Sequence, residues 1–131
     1  MKRSAVFIGR QRNLQAAEDE FQKELAIDPH NTLALYKLGS IRVESGSPKE
    51  GLPLLEKAVG QNLSVVDAYY YLGKAQGQLG QVDAAVGSLR RVIDGEASPE
   101  LKESAYYQLS VIYRKLGRVD DAELRSPLSR N

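Results

Sequence analysis

The stretch LYKLGSIRVESG (residues 35–46) returns 34 residues later as YYYLGKAQGQLG (residues 69–80), and a third version, YYQLSVIYRKLG, occupies residues 106–117. Working outward from these copies, the closing glycines Gly46, Gly80 and Gly117 lie 34 and 37 residues apart, and a small residue follows each after five positions: Gly51, Ala85 and Ala122. One step backward lands on Ala17, with Phe21 four residues on and then LAIDP (residues 25–29). The counterparts of Phe21 are Leu55 and Leu89, so an apolar residue recurs one helical turn after the small one and on its face. Repetition at this period marks units that cannot bury their own apolar face and must stack on neighbours.

Each unit reads as two helices. The stripe Leu35, Leu38, Gly39 and Arg42 predicts a first helix over residues 32–45, ended by Gly46. Ser47, Pro48 and Glu50 predict a capping box that opens a partner helix over residues 48–59, ending at Gly60. In the next unit Ser64 and Asp67 form an S-x-x-D cap, and Tyr69, Leu72, Gly73 and Gln76 carry the same stripe. Its partner spans residues 82–93, with Val82, Ala85, Val86 and Leu89 on the apolar face. The linker at 94–98 is three residues longer than before, which explains the 37-residue step. Ser98 and Pro99 then start a helix over residues 99–116. A following helix from Val119 meets Pro127 after two turns, so residues 126–131 read as a mobile tail. Residues 3–11 read as the remnant of a first helix. The chain is thus expected to be one domain over 1–125, with units near 1–31, 32–65, 66–102 and 103–125, the first and last incomplete.

Bulk composition excludes several classes of function. At 131 residues, with 42% hydrophobic and 27% charged residues, the chain is an ordinary globular domain. A net charge of +1 gives no reason to expect nucleic acid or an anionic membrane. The absence of cysteine removes disulfides, thiolate catalysis and cysteine metal sites. The opening MKRSAVFIGR has an apolar run only over residues 5–8, short of the roughly 7 to 15 residues of a signal core. No stretch nears the roughly 20 apolar residues of a membrane span, and cytoplasmic residence is the default expectation.

The residues Tyr69, Leu72, Gly73, Gly80, Ala85 and Leu89, then Tyr106, Leu109, Tyr113, Gly117 and Ala122, with Ala17, Phe21 and Pro29 before them, resemble the tetratricopeptide repeat. The resemblance covers residues 3–125. Pentatricopeptide and other helix-pair repeats share the architecture, but three copies in register favour this family. It implies an all-α fold, a right-handed superhelical solenoid of antiparallel helix pairs. Arg42 and Gln76 replace the second aromatic of the pattern, Leu63 stands where a proline is usual, and Ser110 replaces a glycine. Packing within those pairs is expected to be looser.

The resemblance further implies that first helices line a concave groove that holds a protein or peptide partner. The groove stripe would carry Leu33, Tyr36, Lys37, Ser40 and Val43, then Asp67, Tyr70, Tyr71, Lys74 and Gly77, then Ser104, Tyr107, Gln108, Val111 and Arg114. Tyr36, Tyr70 and Tyr107 recur at one place and would form a ladder. Tyrosine is common at binding hot spots, yet the same rings would equally serve to pack neighbouring first helices. Tyr69 and Tyr106 fall on the packing stripe and read as structural. The lysine and asparagine clamp by which some family members grip a carboxylate does not carry over, its positions being Tyr36 and Ser40, Tyr70 and Lys74, Tyr107 and Val111. Lys37, Lys74 and Arg114 against Asp67 suggest a mildly acidic partner.

Chemistry is sparse. His30 is the one histidine, beside Pro29 and Asp28 in an inter-unit turn, and no metal spacing, phosphate loop or nucleophile elbow occurs. Acidic residues 18–20 and 120–121 sit at helix starts, where the helix dipole favours them. The expected function is a non-catalytic interaction scaffold without cofactor or metal, with neither nucleic acid nor membrane as partner. The alternative is a self-assembling repeat module, a homo-oligomer stacking through unfinished ends or a fragment of a longer repeat protein.

Overall fold

Gly46, Gly80 and Gly117 adopt φ of 85°, 83° and 73°, the left-handed conformation that ends a helix cheaply only at glycine. In this computed structural model the residues described are 2–61 and 65–117, with side chains from residue 13 onward. They form six helices and no strand: α1 (Lys2–Ile27), α2 (Thr32–Glu44), α3 (Pro48–Gly60), α4 (Val66–Gln78), α5 (Val82–Asp94) and α6 (Pro99–Lys115).

The short glycine turns fold α2 back on α3 and α4 back on α5, giving antiparallel pairs. Leu55 and Leu89, the counterparts of Phe21, are fully buried in those pairs. In α5 the buried positions Ala85, Ser88, Leu89 and Val92 follow the i, i+3, i+4, i+7 stripe. The pair α2–α3 is especially close, because both Gly39 and Gly51 lie at the crossing. A β-carbon on Gly51 would stand 2.7 Å from the Gly39 carbonyl oxygen.

Pairs then stack. The first helices form a continuous row in which α2 packs on α4 and α4 on α6, whereas α3 and α5 do not approach one another and instead touch α4 and α6 respectively. Among the described residues the inner row is therefore more tightly spaced than the outer, and a stack so built curves toward the α2–α4–α6 side. The result is an all-α solenoid of antiparallel helix pairs.

The local signals meet mixed outcomes. Ser98 caps α6, its Oγ accepting from the Leu101 N–H at 3.2 Å, with Pro99 in the first turn. Asn31 caps α2 in the same way, accepting from Ala34 N–H at 3.0 Å. The capping box expected at Ser47 does not form. Ser47 makes no side-chain cap bond, and the Glu50 carboxylate is drawn instead to the Arg42 guanidinium. The cap expected at Ser64 lies outside the described residues; α4 begins after Val65, with Asp67 in its first turn. Residues 3–11 are not a separate remnant but the start of α1, which continues without a break to Ile27. The helix expected from Val119 and the tail at 126–131 lie outside the described residues.

Candidate partner-binding groove

The three equivalent tyrosines divide. Tyr36 is 8% exposed and packs in one core cluster with Ala68, Leu72 and Ala75 of α4. Tyr70 is 9% exposed and shares a second cluster with Ala105, Leu109 and Ile112 of α6, and its hydroxyl accepts a long hydrogen bond of 3.5 Å from Gln108 Nε2. Tyr107 is 63% exposed. Tyr36 and Tyr70 therefore fill the seams between successive first helices and do not stand as open rungs in a groove. Of the two roles that the sequence leaves open for them, packing fits their burial. Val43, expected on the groove stripe, is buried toward α3, where a β-carbon on Gly51 would meet its Cγ2 at 2.8 Å, and Gly77 lies where a β-carbon would meet Ile112 at 3.1 Å.

The accessible face is polar. Lys37 is exposed, with Nζ 5.2 Å from the centre of the Tyr36 ring, near enough for a cation–π attraction. Tyr71 is half-buried and meets Tyr70 edge-on, ring centres 5.2 Å apart. Lys74 reaches from α4 to α2, its Nζ 3.2 Å from Glu44 Oε1. Ser40 is half-buried and bonds back to its own helix, donating to the Tyr36 carbonyl at 2.8 Å. Leu33 and Asp67 are exposed, Ser104, Gln108 and Val111 are half-buried, and Arg114 is exposed near the end of α6.

Charge on this face differs from the sequence expectation. Glu44, which the sequence reading passes over, answers Lys74, and Asp67 offsets Lys37. The α2–α4 half thus holds two acids and two bases. Those acids act on the tyrosines. The Tyr36 hydroxyl is pushed up to about 12 by burial first, then by Asp67 and Tyr71. Tyr71 is raised for the same leading reason, with Glu44, Tyr70 and Asp67 adding to it. Basic character is confined to the α6 end, where Arg114 and Lys115 are exposed.

Other singled-out residues resolve into structure. His30 N–H donates to Asp28 Oδ1 at 3.0 Å, closing the turn, and the His30 ring Nδ1 lies 3.2 Å from Gln61 Oε1. Gln61 Nε2 in turn donates to the His30 carbonyl and to Thr32 Oγ1, at 3.0 and 2.8 Å, tying the end of α3 to the start of α2. Arg91 stacks on Tyr69 at 4.9 Å and donates to its hydroxyl at 3.3 Å, consistent with a packing role. Among the described residues no group of three His, Asp or Glu side chains is placed to hold a metal ion. No described helix is long and apolar enough to cross a membrane.

Comparison with known proteins follows the same architecture. Residues 36–102 and residues 103–124 match two models of the tetratricopeptide repeat. No curated protein sequence matches the chain significantly. Among solved structures, a crystal structure of MamA superposes with a TM-score of 0.74 at 27% identity, covering 92% of this chain and 71% of that one. A second crystal structure of MamA gives 0.74 at 29% identity, with coverage of 88% and 62%. MamA from residue 41 to its end, from Desulfovibrio magneticus RS-1, gives 0.76 at 22% identity and coverage of 92% and 66%, a likeness of fold alone. This chain thus spans 62% to 71% of the MamA chains it resembles.

Proposed function

The chain belongs to the tetratricopeptide repeat family, and from that premise we propose that it is a non-catalytic interaction scaffold holding a peptide or helix of a partner protein along the α2–α4–α6 face. The observation that carries this reading is the side-chain row on the inner helices. Lys37, Asp67, Tyr71 and Lys74, then Gln108 and Val111, are at least partly accessible on α2, α4 and α6, the row of helices toward which the stack curves. Tyr71 is the aromatic anchor of the row, because its ring is half-buried and already braced by Tyr70, so little side-chain entropy remains to be lost on binding. Lys37, Ser40 and Lys74 supply hydrogen-bonding positions beside it. Arg114 favours a partner whose acidic side chain lies toward the α6 end. Tyr36 and Tyr70 act on this face indirectly, by setting how the first helices stack.

Photo-crosslinking tests the proposal. A photoreactive residue at Val111 is expected to capture a protein from the source cells, identifiable by mass spectrometry, while the same residue at Arg90 on α5 captures none. Binding of the captured protein should weaken by about 2 kcal/mol, roughly thirtyfold, in Tyr71→Ala. Equal capture from both positions, or undiminished affinity in Tyr71→Ala, would count against the groove.

A further inference from the structure

We infer that the α2–α4 half of the groove holds a site for an arginine side chain of the partner, stacked on Tyr71 and hydrogen-bonded by the Asp67 carboxylate and the Tyr36 hydroxyl. The site rests on the groove reading above, since the groove's occupant supplies the arginine. Two polar groups there lack partners. Tyr36 is 8% exposed, yet among the described residues its hydroxyl has no hydrogen-bond partner, and its oxygen is not sealed from solvent. Asp67, exposed in the first turn of α4, makes neither a hydrogen bond nor an ion pair through its carboxylate with any described residue. Polar groups on largely buried side chains are ordinarily answered, so this hydroxyl marks a place where a ligand's donor completes the bonding.

The groups lie within electrostatic reach of one another. Burial first, then Asp67 and Tyr71, raise the Tyr36 hydroxyl; burial, then Glu44, Tyr70 and Asp67, raise that of Tyr71. Both hydroxyls therefore stay protonated at neutral pH, and the fixed charges that raise them are carboxylates. The two lysines of this half leave Asp67 unanswered. Lys74 is engaged by Glu44 at 3.2 Å, and Lys37 lies 5.2 Å from the centre of the Tyr36 ring and on no carboxylate. Asp67 is thus the unengaged acid of α2 and α4, and the group that complements it is a cation.

Arginine fits this arrangement better than lysine. A guanidinium stacks flat on an aromatic ring while its edge donates to more than one acceptor, whereas an ammonium is a point charge. Tyr71 offers the ring, half-buried and braced edge-on by Tyr70 at 5.2 Å, and Asp67 and the Tyr36 oxygen offer the acceptors. The molecule uses the same pairing elsewhere: Arg91 lies over Tyr69 at 4.9 Å and donates to its hydroxyl at 3.3 Å. With Arg114 exposed near the end of α6, a partner carrying arginine over α4 and an acidic residue toward α6 lies in one direction only.

The probe is the peptide acetyl-Ala-Gly-Arg-Gly-Ala-amide, titrated into the isotope-labelled full chain and followed by NMR, beside versions in which lysine, citrulline or glutamate replaces the arginine. Saturable shifts are expected at Asp67 and Tyr71, with Kd rising at least about fivefold for citrulline, which keeps the shape of arginine and loses its charge. Lysine should bind more weakly than arginine, and glutamate not at all. Asp67→Asn should weaken arginine binding at least about fivefold, and Tyr36→Phe, which keeps the ring that fills the seam, about threefold. Glu103→Gln removes an exposed acid of α6 and should leave binding unchanged. Circular dichroism verifies that the variants fold. The inference is overturned if the arginine peptide fails to bind, if citrulline or lysine binds as tightly, if Asp67→Asn or Tyr36→Phe binds undiminished, or if Glu103→Gln costs as much as Asp67→Asn. Crosslinking from Val111 separates the site from the groove. Arginine binding without capture at Val111 upholds the site and sinks the scaffold reading, whereas a captured partner that binds Asp67→Asn undiminished sinks the site and leaves the scaffold standing.

Discussion

A β-carbon on Gly51 would stand 2.7 Å from the Gly39 carbonyl oxygen and 2.8 Å from Val43 Cγ2, so helices α2 and α3 meet backbone to backbone where other pairs meet through side chains. The repeat marks position 51 only as small, and Ala85 shows that alanine serves one unit later. What excludes alanine at 51 is Gly39 across the crossing, a pairwise condition between residues of different helices. Gly51→Ala is expected to cost about 1–3 kcal/mol in urea unfolding, since a rigid carbonyl must retreat. Gly87→Ala, exposed in α5 with nothing within 4 Å of the added carbon, is expected to stabilise by up to about 1 kcal/mol through helix propensity. Equal effects from the two substitutions would contradict the close crossing.

Between elements, Arg42 illustrates a departure from the repeat pattern that turns out to have a use. It replaces an aromatic residue, and its guanidinium lies between Glu18 of α1, Nε to Oε2 at 4.0 Å, and Glu50 of α3, to which Nη1 donates. Its Nε is buried with no hydrogen-bond partner, so the side chain is held by charge and packing more than by a completed network. One residue thus joins three helices, and it explains why Glu50 is absent from the capping box at Ser47. Arg42→Ala is expected to speed amide hydrogen exchange in residues 13–27 of α1 at least about tenfold, leaving α4 and α5 protected as before. Unchanged exchange in α1 would show that apolar contacts alone hold it. The helix boundaries themselves were legible from glycines, prolines and the Ser98 cap, because those signals act within one turn of chain. The continuity of α1 was not, because Gly9 offers a break that the chain does not use and the helix runs straight through it.

Across the whole molecule, stability passes through the seams. Each first helix covers the tyrosine of the one before it, so the stack behaves as nearest neighbours whose interfaces are apolar and whose surfaces are polar. Tyr70→Ala should therefore cost about 3–5 kcal/mol, as for other buried aromatic deletions, while Tyr107→Ala should lie within about 0.5 kcal/mol of the parent. Thermal and urea unfolding of the two variants side by side checks this. Similar losses would mean that Tyr107 is covered in solution.

Periodicity alone determined the helix pairs, their turns, their packing stripe and the family, because each of these depends on residue spacing along one chain, and the 34-residue recurrence records that spacing directly. The spacing set Tyr36, Tyr70 and Tyr107 at equivalent places, which the family resemblance led one to expect on the groove face, but it was blind to which of them would be covered. That was decided by the tertiary structure, because the neighbour that buries Tyr36 or Tyr70 lies more than thirty residues away, in the next unit. The same contact between units brings Glu44 to Lys74 and removes half the positive charge expected of the α2–α4 face. Identical residues at identical repeat positions become a seam or an open edge according to what stacks upon them, and stacking is a property of the assembled solenoid.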